Sequence, residues 1–349
     1  MANIAVIGAG SWGTALALVL ADNGHHVKLW GRSEDQIKEL NKDRTNHKYL
    51  PNVSLPTNIK GYTELSDSVK DTEAILFVVP TKAIREVAAE IKSYLDTPVT
   101  IVHASKGIEP DSSKRVSEMI EEEIPKQFRK SVCVLSGPSH AEEVALREPT
   151  TVTVSSVEED EAKYVQDLFM NQHFRVYTNP DLIGVEIGGA LKNIIALGIG
   201  LTNGLGYGDN AKAALMTRGL AEIARLGIHL GANPLTFAGL SGLGDLIVTC
   251  TSVHSRNWRA GQLLGQGKSL DEVLESMGMV VEGIRTTKAA YHLASTENVD
   301  MPITSAIYGV LFENKRPADA AEELMGRVKK HEVEDLTSIV NGTLSDKQS

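Results

Sequence analysis

A short apolar strand, Asn3–Ile7, runs straight into Gly8-Ala9-Gly10-Ser11-Trp12-Gly13, and the Ala- and Leu-rich pattern Gly13–Asp22 follows as a helix. A G-x-G-x-x-G turn between a strand and a helix leaves few folds open. The first glycine makes the tight turn, the second lets backbone approach a pyrophosphate, and the third lets helix pack on strand. The helix N-terminus then faces the negative charge. Gly8, Gly10 and Gly13 therefore predict a dinucleotide-binding α/β unit.

The downstream pattern agrees. Strand-like segments recur at His26–Trp30, Ala74–Val79, Val99–His103, Val132–Leu135, Thr151–Val154 and Phe174–Tyr177. Several are apolar along their whole length, as parallel strands covered on both faces are. Helical patterns such as Thr81–Leu95 and Ser113–Glu123 lie between them, which predicts a doubly wound, Rossmann-like domain. From Asp181 the texture turns helical. One long helix is predicted over 181–201, a second over Ala211–Leu230, and shorter ones at Leu270–Met277, Glu282–Thr296, Ile303–Glu313 and Ala318–Met325. Pro234, Pro302 and Pro317 stand where helices start, the position at which a missing N–H costs least. With 349 residues the chain is long enough for two domains. The expected division is a nucleotide-binding α/β domain at 1–180, an all-helical domain at 181–329 and a polar tail at 330–349.

A formal net charge of −10 makes the chain a poor ligand for nucleic acid or an anionic membrane surface. A small phosphorylated ligand would need a few local cations. Cys133 and Cys250 sit in apolar stretches and read as two buried thiols of a reducing compartment. No basic leader precedes the first strand, and no apolar run is expected to approach the ~20 residues of a membrane span. A cytoplasmic protein is the expectation.

The end of the second strand bears on cofactor choice. An acidic residue there would bind a ribose 2′-hydroxyl. Here the strand runs into Gly31-Arg32-Ser33, and the first acid is Glu34. Arg32 and Ser33 suit a 2′-phosphate, so NADPH is favoured and NADH remains acceptable.

Reduction of a carbonyl needs a proton donor at the developing alkoxide, a group to hold that donor, and a clamp on the rest of the substrate. No spacing suggests a metal site. Lys192 is the foremost donor candidate, in Gly188-Gly189-Ala190-Leu191-Lys192-Asn193. Two glycines inside a helix cost about 1 kcal/mol each relative to alanine. Either close helix packing or a ligand against bare backbone explains them, and the adjoining Lys192 and Asn193 favour the ligand. Asp245, in a Gly-rich apolar segment, is the natural carboxylate partner, with an N-cap role as the alternative; an unpartnered acid there would be costly. Thr249, four residues on, would share its helical face. Ser255-Arg256-Asn257 presents a hydroxyl, a guanidinium and an amide suited to phosphate, or an ordinary helix start. Lys106 and Gly137-Pro138-Ser139 follow predicted strands at the ends where open α/β sheets bind ligands.

The segments GAGSWGTALA, ASKGIE, LSGPSHAEEV, GGALKNIIALGIGL, GLSGLGDLIVTCTS, SRNWRAG and VVEGIRTT occur in this order. Together they resemble the bacterial NAD(P)-dependent sn-glycerol-3-phosphate dehydrogenases. The resemblance covers all but about the last twenty residues. It implies a 6-phosphogluconate-dehydrogenase-like helical second domain and reversible reduction of dihydroxyacetone phosphate to sn-glycerol 3-phosphate, a phospholipid precursor. It implies Lys192 as acid/base with Asp245 and Thr249 around the carbonyl. Substrate contacts carried over are Lys106, Gly137, Ser139, Lys192, Asn193, Asp245, Ser255, Arg256 and Asn257. Cofactor contacts are Ser11, Trp12, Arg32, Ser33, Tyr49, Lys106, Ala141, Arg256, Val280 and Glu282, and a homodimer is compatible with the family. Two rivals stay open. Another hydroxyacid or 6-phosphogluconate-type dehydrogenase would lack the GLGDL and SRNWRAG segments. A non-enzymatic NADPH sensor would need no lysine–aspartate pair.

Overall fold

The computed structural model describes residues 1–278 and 280–328, so the tail expected at 330–349 lies outside the described residues. The chain divides into two compact units: Met1–Lys106 with Arg115–Leu182, and Gly107–Lys114 with Ile183 onward.

The first unit is an eight-stranded sheet. Its elements are β1 (Asn3–Ile7), α1 (Ser11–Asp22), β2 (His26–Trp30), α2 (Glu34–Lys42), β3 (Ile59–Tyr62), α3 (Leu65–Val69), β4 (Ala74–Phe77) and α4 (Ile84–Lys92). Then come β5 (Val99–His103), α5 (Val116–Glu123), β6 (Arg129–Ser136), α6 (Ala141–Ala145), β7 (Thr150–Ser156), α7 (Glu159–Phe169) and β8 (Phe174–Asn179). Strand order is β3-β2-β1-β4-β5-β6-β7-β8. The unbroken apolar runs have the cause expected. In β1, Ile4 and Val6 join one core cluster, whereas Ala5 and Ile7 join another on the opposite face.

The sheet is mixed, not all-parallel, because β7 runs antiparallel to β6. The link between them holds only the five-residue α6. Such a helix rises about 7.5 Å, whereas the eight-residue β6 spans about 26 Å. A parallel return needs a longer crossover. The short edge strand β3, absent from the sequence reading, pairs with β2 in parallel.

The second unit is helical: α8 (Leu182–Gly204), α9 (Asp209–His229), α10 (Pro234–Phe237), a π-turn over Leu240–Gly244, α11 (Asp245–Thr251), α12 (Arg256–Gly265), α13 (Leu270–Met277), α14 (Glu282–Thr296), α15 (Pro302–Phe312) and α16 (Pro317–Met325). Pro234, Pro302 and Pro317 each open a helix. The 23-residue α8 runs through the core cluster of this unit. By length and composition α8 could cross a membrane, as could Pro234–Thr251, which corrects the expectation that no apolar run approaches that length. Its most apolar stretch is 94% buried, so the apolar length follows from its place at the centre of a bundle. Close approach to α12 adds to this. A methyl group at Gly200 would lie 2.1 Å from the Trp258 carbonyl oxygen, and one at Gly261 would lie 2.1 Å from that of Leu197.

Candidate active site

In the first unit the glycine turn is built as its spacing predicts. Gly8 has φ +125°, which L side chains rarely adopt. A Cβ on Gly13 would sit 1.8 Å from the Gly8 carbonyl oxygen, so only glycine lets α1 start this close to β1. At Gly10, the N-cap of the twelve-residue α1, nothing lies within 4 Å of where a Cβ would be. A dinucleotide pyrophosphate fits that open cradle at a helix N-terminus. The Ser11 hydroxyl donates to the Tyr49 carbonyl at 2.8 Å, which brings two expected cofactor residues together. Trp12 is half-buried against the core. Arg32 and Ser33 are exposed beyond β2. Ser33 also caps α2, accepting from the Gln36 amide at 3.4 Å.

Beyond β5 and β6 three expected substrate residues meet on one atom. The Gly137 carbonyl accepts from Lys106 Nζ at 3.3 Å and from Ser139 Oγ at 2.9 Å. Gly137 itself has φ +149°, and a Cβ there would press the Val152 backbone at 2.9 Å. Ala141 opens α6.

In the second unit Lys192 and Asp245 are both buried and form an ion pair, hydrogen-bonded through Asp245 Oδ1. Lys192 Nζ also donates to Thr249 Oγ1 at 2.6 Å, and Thr249 in turn donates to the Asp245 carbonyl at 2.6 Å. Asp245 is not the N-cap of α11; Gly244 holds that position and the carboxylate faces the lysine. The π-turn delivers it there. Such single π-turns are frequent at functional sites. For Gly188 the structure decides between the two readings in favour of close packing, since a Cβ there would meet the Ser241 carbonyl oxygen at 2.6 Å. Sequence alone missed this π-turn, because nothing in LSGLG distinguishes it from an ordinary loop.

Asn193 and Asn257 also come together. Asn257 Nδ2 donates to Asn193 Oδ1 at 2.8 Å and its Oδ1 accepts from the Gly283 amide at 2.9 Å, tying α8, α12 and α14. Ser255 is the N-cap of α12, accepting from the Trp258 amide at 3.2 Å, as the ordinary helix-start reading holds. Arg256 is exposed on the first turn, and its guanidinium donates to the Val280 carbonyl at 3.2 Å. Glu282 opens α14 and is half-buried. Burial pushes the Cys250 thiol, next to Thr249, up to about 12, so it is no nucleophile at neutral pH.

Comparison with known proteins is consistent throughout. Family models for the N-terminus and the C-terminus of NAD-dependent glycerol-3-phosphate dehydrogenase match residues 3–162 and 181–322. The NAD(P)+ glycerol-3-phosphate dehydrogenase of Shouchella clausii is 68% identical over 337 residues, covering 96% of this chain and 99% of that protein. Its counterpart in Halalkalibacterium halodurans is 67% identical over 346 residues, covering 99% and 100%. The crystal structure of glycerol-3-phosphate dehydrogenase from Coxiella burnetii superposes with a TM-score of 0.89 at 40% identity, covering 93% of this chain and 99% of that one.

Proposed function

Since the chain belongs to the NAD(P)-dependent glycerol-3-phosphate dehydrogenase family, we propose that Lys192 is the acid/base of its reaction. That reaction is the reversible, NAD(P)H-dependent interconversion of dihydroxyacetone phosphate and glycerol 3-phosphate. The observation that carries the assignment is the buried lysine held by Asp245 and Thr249. When bound, the reduced nicotinamide supplies the hydride that the C2 carbonyl receives. Lys192 gives the carbonyl oxygen its proton, and in the reverse direction takes the proton back. Asp245 keeps the ammonium charged in a site where burial alone would favour the neutral amine. Both residues are buried and hydrogen-bonded to each other, so little solvent reorganises with the change of charge.

Arg256, exposed at a helix start, is the clamp for the substrate phosphate, with Ser255 and Asn257 completing the contact and Asn193 beside them. Lys106, Gly137 and Ser139 contribute further substrate contacts. Gly8, Gly10, Ser11, Trp12, Gly13 and Tyr49 hold the dinucleotide, and Ala141, Val280 and Glu282 add to it. NADPH is the preferred cofactor, because Arg32 and Ser33 stand where NAD-selective proteins place an acid. Assembly as a homodimer is part of this reading and rests on family resemblance. Cytoplasmic residence is part of the same reading, supported by Cys133 and Cys250, two buried free thiols as a reducing compartment keeps them. The test is the absorbance of NADPH at 340 nm on addition of dihydroxyacetone phosphate. Decay is expected, and a folded protein that leaves the absorbance unchanged refutes the reading.

A further inference from the structure

Asn46, in the segment joining α2 to β3, is 1% exposed, though it is flanked by Thr45 and the exposed His47. A buried amide is costly unless its polar atoms find partners. Asn46 satisfies all of them around the glycine turn. Its Nδ2 donates to the Ala9 carbonyl at 3.1 Å and to Thr14 Oγ1 at 2.8 Å. Its Oδ1 accepts from Gln36 Nε2 at 3.1 Å, and the same nitrogen donates to the Ala9 carbonyl at 2.5 Å. The orientation of the amide is dictated by its partners, because a carbonyl oxygen can only accept. The backbone carbonyl of Asn46 also accepts from the amides of Tyr49, at 3.1 Å, and Leu50, at 2.8 Å. That turn sets the Tyr49 carbonyl where the Ser11 hydroxyl reaches it.

The important atom is the Ala9 carbonyl oxygen, which receives two side-chain amides. In a trans peptide the N–H points opposite to the C=O. With the Ala9 oxygen held toward Asn46 and Gln36, the Gly10 N–H is turned to the other side of the peptide. The backbone of Gly10 does not itself select this orientation, because glycine tolerates either one. An apolar plug would fill the same volume as Asn46 without choosing between them.

We propose that Asn46, together with Gln36, is a positioning residue for the dinucleotide, acting through the Ala9–Gly10 peptide to keep the Gly10 amide aimed at the pyrophosphate. The inference rests on the reading of this turn as the NAD(P)H site. The experiment compares full-length wild type with Asn46→Ala, Gln36→Ala and Thr14→Val by NADPH fluorescence titration, steady-state kinetics and thermal melting. Asn46→Ala is expected to raise Kd and KM for NADPH about three- to tenfold, the effect of one lost neutral hydrogen bond. KM for dihydroxyacetone phosphate should move less than about twofold, as should kcat at saturating NADPH. Adenosine 2′-monophosphate, which has no pyrophosphate, should bind wild type and Asn46→Ala alike. Thr14→Val removes a partner of the same amide without releasing the Ala9 carbonyl, so it should lower Tm and leave Kd within about twofold. Gln36→Ala frees the same carbonyl from the half-exposed side and keeps the test open if Asn46→Ala does not fold. It should raise Kd for NADPH about two- to fivefold. An unchanged NADPH Kd in the folded variants, or equal losses for NADPH and the pyrophosphate-free ligand, overturns the proposal. A folded wild type that ignores NADPH would instead overturn the functional reading beneath it.

Discussion

The Thr249 hydroxyl gives its one proton to the carbonyl oxygen of Asp245, 2.6 Å away, so the lone pair it turns to Lys192 can only accept. The threonine therefore cannot compete with the lysine as a proton donor. Its role is directional: with the Asp245 carboxylate it fixes two of the directions in which the ammonium donates.

Lys192→Ala is expected to lower kcat by about 10²- to 10⁴-fold, the usual worth of a positioned acid/base. Kd for NADPH by fluorescence titration should stay within about threefold, because the lost contact is made chiefly in the transition state. Thr249→Val should lower kcat about tenfold by removing a charge-assisted acceptor, and Thr249→Ser should restore most of it. Near-normal turnover in Lys192→Ala would end the assignment.

Arg256→Ala removes an exposed guanidinium whose protein contact is a carbonyl. KM for dihydroxyacetone phosphate should rise about 10- to 100-fold, as for a lost charged hydrogen bond, with a smaller rise for NADPH. Inorganic phosphate should also inhibit the variant more weakly than wild type. A substrate KM that does not move would show that the phosphate is held elsewhere.

Gly188→Ala places a methyl group 2.6 Å from the Ser241 carbonyl oxygen, four residues before Asp245. Backbone must shift to relieve that contact, and the carboxylate moves with it relative to Lys192. Both Tm and kcat should fall, although alanine by itself favours a helix by about 1 kcal/mol. Gly208→Ala, where no atom lies within 4 Å, is the matched control and should retain wild-type turnover. If both variants turn over normally, the π-turn does not set the position of Asp245.

Glu222 gives a pH dependence of stability. Its carboxyl, on α9, accepts from the Ile303 amide at 2.6 Å and the Thr304 amide at 3.2 Å at the start of α15. Despite these donors, burial raises its pKa from 4.5 to about 7. The folded state thus holds a proton that the unfolded state has released between those values, and stability falls as pH rises through that window. The full effect is about 3 kcal/mol at most. Glu222→Gln loses an acceptor at every pH and should start less stable at pH 5. The gap to wild type should narrow toward pH 8 in Tm measured by calorimetry. Parallel curves would show that Glu222 does not titrate in this range.

What could be read in the sequence was what is decided locally. β1, β2, β5, α13 and α14 fall at the residues their apolar patterns marked, because burial on two faces or one leaves a distinct period. The strand β3, Ile59-Lys60-Gly61-Tyr62, has four residues and a glycine, too little for any period to register. The reversal of β7 depends on how short α6 is, which apolar content does not reveal. Among the site residues, Lys192, Asp245 and Thr249 stood out as polar groups in apolar surroundings, and they do meet. Asn46 did not stand out, since a buried asparagine and a solvated one look alike until the chain 37 residues earlier folds against it.

The apolar length of α8 also bears on how the protein is made. Its covering helices, α9 to α15, lie after it in the chain, and ribosomes add roughly 5–20 residues per second. For several seconds each nascent chain carries this membrane-grade segment before most of its covering helices have been synthesised. During that interval the competitors for α8 are chaperones, the secretion machinery and other nascent chains, and the yield of folded protein depends on how quickly α9 follows.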